Sequence, residues 1–460
     1  MVSPATPRSA PVLPSIDLLT WLHSAPQLMQ RDPDFFLTAR ARCGDIYLLR
    51  GGASPMVMLG HPRHAQEILV EKGANYTKDS PIWDPLRSLL GNGLLVSGGS
   101  YWLRQRRMMQ PQFHRQALAG MSALMSEAIA EELESWDRAA AEGRELTATE
   151  GFNALTMKVI VKTLFGGSID QHEIAAVGND MKFVLDFILQ GILAKSLPSW
   201  VPLPGRQRYA DTLRRLDDIL FRIIRRSRDA LASGKVSANL LSLLLNVSDE
   251  ETRETMNDQQ LRDEALTLFL AGYETTAAAL AWAYQFMFDR PDVAQKLHAE
   301  VDAVLGQRTP TIADVSSLPY TKMILQEALR LRPPSFWTPR VALADDEIDG
   351  YPIKAGTTVA PITYVIHQHP EIWEHPERFD PERFLPERSQ NRHRAAWIPF
   401  ALGQHQCIGK EYAMLEGQLV LANLAQRYRI EAGQGRAARA TLSATIRMEG
   451  GRRLKLTRRR

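Results

Sequence analysis

The chain has 460 residues, 45% hydrophobic and 23% charged, the make-up of an ordinary globular enzyme with room for a large buried core. Its 55 Lys and Arg against 52 Asp and Glu leave a net charge of +3, which excludes the bulk electropositivity of nucleic-acid binders. Two cysteines, Cys43 and Cys407, are too few for a disulfide framework and suit a reducing cytosol.

Pro4, Pro7, Pro11 and Pro14 break any N-terminal helix, so neither a signal peptide nor a membrane anchor is expected there. Ile46–Leu49 and Met56–Leu59, with Gly51-Gly52 between them, read as a β-hairpin, and His61–Lys72 as a helix. Residues 75–100, rich in Gly, Pro and Ser, read as a long loop. Helical spacing then covers 102–110, 114–140, 149–165, 171–194, 206–233, 258–289, 291–305 and 318–331. Its longest uncharged apolar run, Thr275–Phe288, has 14 residues, below the roughly 18 of a membrane span. Short strands are expected at 337–343, 346–349 and 357–360. An irregular stretch follows over 370–406, then a helix from Ile408 to Arg427 and closing strands. The basic end, Gly451–Arg460, reads as a solvated tail.

The sharpest local feature is Phe400-x-x-Gly403-x-His405-x-Cys407-x-Gly409. A cysteine just ahead of a helix gains from the N-terminal N–H groups and the helix dipole, which lower a thiol pKa. Gly403 and Gly409 permit tight turns and close approach of a flat ligand. This pattern resembles the cytochrome P450 family, with His405 where most members carry Arg. The resemblance implies a mainly α fold with a minor β region, a triangular helical unit enclosing haem b. It also implies Cys407 as the axial iron ligand, with thiolate donation favouring O–O cleavage. Phe400, Gly403, His405 and Gly409 would lie around the cofactor, and His405 can offer a propionate a hydrogen bond.

Three distant motifs carry the same resemblance. Glu327-x-x-Arg330 shares one helix face and precedes Leu331-Arg332-Pro333-Pro334 and Arg340. The family pattern implies a buried Glu–Arg–Arg network and a propionate contact for Arg340. Pro376-Glu377-Arg378-Phe379 and Pro381-Glu382-Arg383-Phe384 both offer the third member; spacing favours Arg383, with Arg378 as alternative. Ala271-Gly272-Tyr273-Glu274-Thr275-Thr276 places costly glycine and polar residues inside an apolar helix. By resemblance, Thr275 hydrogen-bonds dioxygen and Glu274 relays protons. Gly91-x-Gly93-Leu94-Leu95 leads to Trp102 and Arg106, spaced i, i+4, which would hold a propionate.

Family position implies a substrate pocket lined by 76–100, Leu270, Ala271, Ser335 and Trp337, with a lid around 195–205. A hydrophobic small molecule is expected: terpenoid, fatty acid, steroid or polyketide. No iron–sulfur cysteine cluster or reductase length is present, so electrons are expected from a separate ferredoxin or flavodoxin with its reductase. Arg104, Arg107, Arg392, Arg394 and Lys410 are candidates for the docking face. The expected organisation is a Pro-containing segment, 1–30, and one cytoplasmic monooxygenase domain, 31–460, without nucleic acid or membrane anchor. The reaction expected is hydroxylation or epoxidation. A haem-thiolate isomerase, dehydratase or peroxygenase, or a non-enzymatic haem sensor, are the alternatives.

Overall fold

The computed structural model describes residues 11–16, 24, 26–27, 29–50, 55–166, 173, 177–178, 180–181, 183–184, 187–188, 205–234 and 238–459. In chain order the main elements are α1 (Asp34–Cys43), β1 (Ile46–Leu49), β2 (Met56–Leu59), β3 (Tyr76–Thr77), α2 (Gly99–Met109), α3 (Arg115–Ala141), α4 (Ala148–Phe165) and α5 (Arg206–Ala232). Then come α6 (Asp258–Phe288), α7 (Pro291–Leu305), α8 (Pro319–Leu331), β4 (Arg340–Ala342), β5 (Asp346–Ile348), β6 (Tyr351–Ile353), β7 (Thr358–Pro361), α9 (Lys410–Arg427), β8 (Tyr428–Ala432), β9 (Arg439–Leu442), β10 (Ile446–Glu449) and β11 (Leu454–Arg458). The chain is mainly helical, as the resemblance implies. No helix among the described residues is long and apolar enough to cross a membrane.

Backbone packing divides the chain into two compact units. The first comprises Met1–Ser80, Phe336–Pro376 and Arg392–Gln406. Its sheet runs β1-β2-β7-β4-β3, with β2 and β7 parallel and the other pairs antiparallel. Ile46 faces Leu59 in the hairpin, and both join Val57, Ile68, Val359 and Ile398 in a buried core. The expected turn at Gly51-Gly52 lies outside the described residues. Strand β6 escapes the sequence reading because Pro352 sits in it, yet Asp349 and Gly350 both adopt positive φ (49° and 80°), the backbone of a two-residue hairpin turn.

The second unit comprises Pro81–Ser335, Glu377–Asn391 and Cys407–Arg460. At its centre is α6, started by a reciprocal capping box between Asn257 and Gln260. It is buried on nearly every face, as expected of a helix apolar all round. Pro291 and Pro319 occupy the first turns of α7 and α8, where a missing N–H costs nothing.

Three expectations are corrected here. The 75–100 loop holds β3 and a two-turn helix, Asp84–Leu90; Pro85 sits in its first turn, where proline is tolerated. Leu240–Leu245 is a further helix, N-capped by Asn239. The basic C-terminus is not a loose tail: β11 pairs with β8, burying Leu454 and Leu456. Its flanking arginines are paired, Arg452 with Asp289 and Arg459 with Asp302. Most of the helix expected at 171–194, and all of 191–204 around the expected lid, lie outside the described residues.

Candidate active site

Cys407 precedes α9 by three residues. The Gly409 N–H and the Arg106 guanidinium both pull its thiol toward the thiolate, but burial is the larger effect and pushes the pKa up. The helix-terminus effect the sequence argument weighed is present, and burial outweighs it. Although enclosed by the fold, Cys407 keeps accessible surface.

The glycines around it have protein-centred reasons. Gly403 has φ +76°, and a Cβ there would stand 2.0 Å from the Leu69 carbonyl oxygen. Ala401 also takes positive φ (58°), and the Gln406 N–H closes the turn on the Gly403 carbonyl at 3.0 Å. Gly409 has an ordinary φ, and its Cβ would meet only the Cys407 sulfur, at 3.9 Å. Phe400 packs edge-on to Trp397, and His405 is half-buried.

In α6 the Thr275 hydroxyl donates to the Ala271 carbonyl at 2.7 Å, and the helix runs through without a break. Ala271 is exposed and Gly272 and Thr275 are half-exposed, directly after the fully buried run Leu261–Leu270. Gly272 packs closely on α4: a Cβ there would lie 2.8 Å from Ile160 Cδ1, so that side chain would have to shift. The Glu274 carboxylate is already engaged. Arg447 Nε on β10 donates to it at 2.7 Å and the Thr445 hydroxyl at 3.1 Å.

The Gly91-x-Gly93 loop docks on the same helix. A Cβ on Gly91 would overlap the Asp263 carboxylate, and one on Gly93 the Thr267 hydroxyl. Asn92 N–H donates to Asp263 (2.8 Å) and Leu94 N–H to Glu264 (3.0 Å). On α2, Trp102 is buried and Arg106 is bonded to Gln110 through Nε at 2.9 Å.

Glu327, Arg330 and Arg383 come together, all buried. Glu327 accepts from Arg330 Nε (2.7 Å) and Nη2 (2.8 Å), from Arg383 Nε (3.2 Å) and from the Asp380 N–H (2.9 Å). Burial lowers the Arg383 pKa, opposed by Glu327. Exposed Arg378 contributes its carbonyl, which accepts from Arg330 at 3.1 Å.

In the first unit Arg340 is buried with its own Pro339 carbonyl as acceptor (2.8 Å), and burial alone pushes its pKa down to about 10. No carboxylate among the described residues meets it. Trp337 stacks flat on Phe336 (5.3 Å between ring centres), which packs on Phe36. In the second unit Leu270 is buried and Ser335 exposed. Two of the candidate docking cations are neutralised in place: Arg104 by Glu254, and Arg107 by Asp249 and Glu251.

Sequence reasoning passed over Glu416. It is fully buried on α9, nine residues after Cys407, and burial pushes its pKa well above the carboxylate range. The signal was a lone acidic residue in the apolar stretch from Ala413 to Ala425. Arg447 and Thr445 were missed because nothing local ties them to α6.

A mainly helical fold with a cysteine loop directly before its last helix is the arrangement expected of a haem-thiolate oxidoreductase. Residues 7–450 match the family model "Cytochrome P450". The chain is 35% identical to the cyclooctat-9-en-7-ol 5-monooxygenase of Streptomyces melanosporofaciens, over 87% of this chain and 85% of that one. It is 28% identical to the pentalenene oxygenase of Streptomyces avermitilis, covering 93% and 94%. The crystal structure of the cytochrome P450DA heme domain superposes with a TM-score of 0.87 at 27% identity, covering 98% and 99%. The chain belongs to the cytochrome P450 family. It is a haem-dependent monooxygenase that takes electrons from a redox partner and oxidises a hydrophobic small molecule.

Proposed function

We propose that the enzyme hydroxylates a terpenoid, with haem b as cofactor and a ferredoxin or flavodoxin, served by its reductase, as electron source. It would work in the cytoplasm, with residues 31–460 as one catalytic domain. The overall balance is R–H + O2 + two electrons + two protons giving R–OH + H2O. The terpenoid reading rests on the relatives named for cyclooctat-9-en-7-ol and pentalenene. The observation that carries the site is Cys407, which keeps accessible surface just ahead of α9 and interacts electrostatically with Arg106.

The donor set suits a haem. Burial opposes ionisation of this sulfur, and a bound metal cation would draw it to the thiolate. The buried Arg340 guanidinium lacks a carboxylate, and a propionate would supply one. Trp102, Arg106, Arg340 and His405 would hold the propionates, with Phe400, Gly403 and Gly409 forming the ligand loop. When bound, the haem supplies the iron at which dioxygen is reduced and cleaved. Thr275 would hold its hydroxyl toward the reacting oxygen, and Glu274 would pass protons from solvent. This needs Thr275 to leave the Ala271 carbonyl and Glu274 to leave Arg447, so both act as gated donors. Leu270, Ala271, Ser335 and Trp337 would line the substrate pocket.

The test is spectroscopic. The reduced, carbon-monoxide-treated protein should show the red-shifted band of thiolate ligation, lost in Cys407→Ser. Polycyclic terpene alcohols should shift the ferric spectrum more strongly than fatty acids or steroids do. Absence of the band defeats the site assignment; tighter binding of fatty acids or steroids defeats the substrate assignment.

A further inference from the structure

The geometry points to Thr156 on α4 as a positioning residue for the two gated donors: its hydroxyl holds the peptide bond that joins Tyr273 to Glu274 in α6. The inference rests on the roles given above to Glu274 and Thr275. Thr156 is fully buried, and its hydroxyl donates to the Tyr273 carbonyl at 2.9 Å. Both residues belong to the second unit. A threonine inside a helix ordinarily gives its single proton to a carbonyl one turn back. Here the Phe152 carbonyl of α4 also stands at 2.9 Å, with that of Asn153 at 3.5 Å. One proton is thus shared between the two helices. Each carbonyl has a second lone pair, so the Tyr273 oxygen can take this bond and remain in the continuous ladder of α6.

A peptide bond is planar and resists rotation. Holding the Tyr273 carbonyl therefore holds the Glu274 N–H, and with it the backbone from which Glu274 and Thr275 project. A second contact lies one turn along α4. Ile160 packs into the notch left by Gly272, where a Cβ would stand 2.8 Å from its Cδ1. Thr156 and Ile160 are four residues apart and share one face of α4, and they meet consecutive residues of α6. Apolar packing sets how close the helices come but has little directional preference. The hydrogen bond is directional and fixes how α6 is turned. Thr275 must leave the Ala271 carbonyl to act, and Glu274 must leave Arg447. With the Tyr273–Glu274 peptide held from α4, both side chains can swing while the backbone beneath them stays in place.

Substitutions in the purified holoenzyme test this. Thr156→Val keeps the shape and removes the hydroxyl, Thr156→Ser keeps the hydroxyl, and Thr275→Val is the reference for a lost donor. Thr156→Val should retain the thiolate spectrum but lower product formed per reductant by about two- to tenfold, the range one buried hydrogen bond is worth. It should also shift the C–O stretch of the reduced carbon-monoxide complex, which reads the polar groups facing the bound gas. Thr156→Ser should return both readings toward wild type. A Val variant with a lower unfolding midpoint but unchanged product yield and C–O stretch overturns the proposal, since Thr156 would then serve packing only. So does a Ser variant as impaired as Val. If Thr156→Val takes up no haem, Thr156→Ala is compared with Thr156→Ser on the same two readings, and equal values overturn the proposal. A fully coupled Thr275→Val would sink the role of Thr275; an uncoupled one beside an unchanged Thr156→Val would sink only the hold by Thr156.

Discussion

Replacing Glu327 by Ala should cost the protein a large part of its stability. The carboxylate is fully buried and accepts four hydrogen bonds, three of them from two guanidinium groups. Removing it leaves the buried charges of Arg330 and Arg383 facing each other and the Asp380 N–H without its acceptor. Breaking a buried pair costs about 3–5 kcal/mol, against a total of about 5–15 kcal/mol for a folded protein. Glu327→Gln keeps the shape but not the charge, and should recover well under half of the loss. The double variant Glu327→Met with Arg383→Met should lose less than the two single changes summed, because it removes both signs of charge together. Guanidinium unfolding followed by circular dichroism, with haem absorbance per protein as a second readout, measures these variants and the two single Met changes. A Glu327→Ala protein within about 1 kcal/mol of wild type would refute the reasoning.

Arg447→Met frees the Glu274 carboxylate from β10 and should change product formed per reductant while leaving the thiolate spectrum intact; Arg447→Lys should restore part of it, and equal coupling in all three proteins would remove Arg447 from the relay. Gly403→Ala forces a left-handed alanine, costing about 1–2 kcal/mol, and drives its Cβ into a backbone carbonyl that cannot rotate away; an unfolding midpoint equal to wild type would contradict this. His61, His64 and His298 all have lowered pKa values, burial being the largest cause, with His61 at about 4 instead of 6.5. A depressed histidine binds fewer protons folded than unfolded, so stability should fall as pH drops from 6.5 toward 4; if His61→Gln shows the same acid slope as wild type, His61 is not a source of it.

What was legible in the chain was whatever depends on short spacing. Glu327 and Arg330 meet because residues three apart share a helix face. The β1–β2 hairpin shows itself by two apolar runs around glycines. Contacts across long separations left no such trace: Glu274 with Arg447 is a pair made by the fold. Strand β11 was hidden for another reason. Its Lys455 and Arg458, with the arginines around it, read as a solvated tail, yet Leu454 and Leu456 alternate with period two and are its buried side. The helix Asp84–Leu90 was masked by proline, which is a breaker only beyond the first turn.

The glycines argue a wider point about how such a signature should be interpreted. Gly91, Gly93, Gly272 and Gly403 each lie where a single methyl group would collide with another part of this protein: Asp263, Thr267, Ile160 and the Leu69 carbonyl. Reading them as clearance for a flat ligand is therefore unnecessary, since close packing of the chain on itself already demands them. Gly409 alone among the motif glycines has no such neighbour; its missing side chain borders only the Cys407 sulfur. On the proposed assignment, duties toward the cofactor would fall on few groups, one sulfur and buried guanidinium groups such as Arg340, while the packing glycines hold the helices and the loop in place. A substitution at the packing glycines should then lower stability and haem content together, whereas a change at Arg340 should lower haem retention in a chain that still folds.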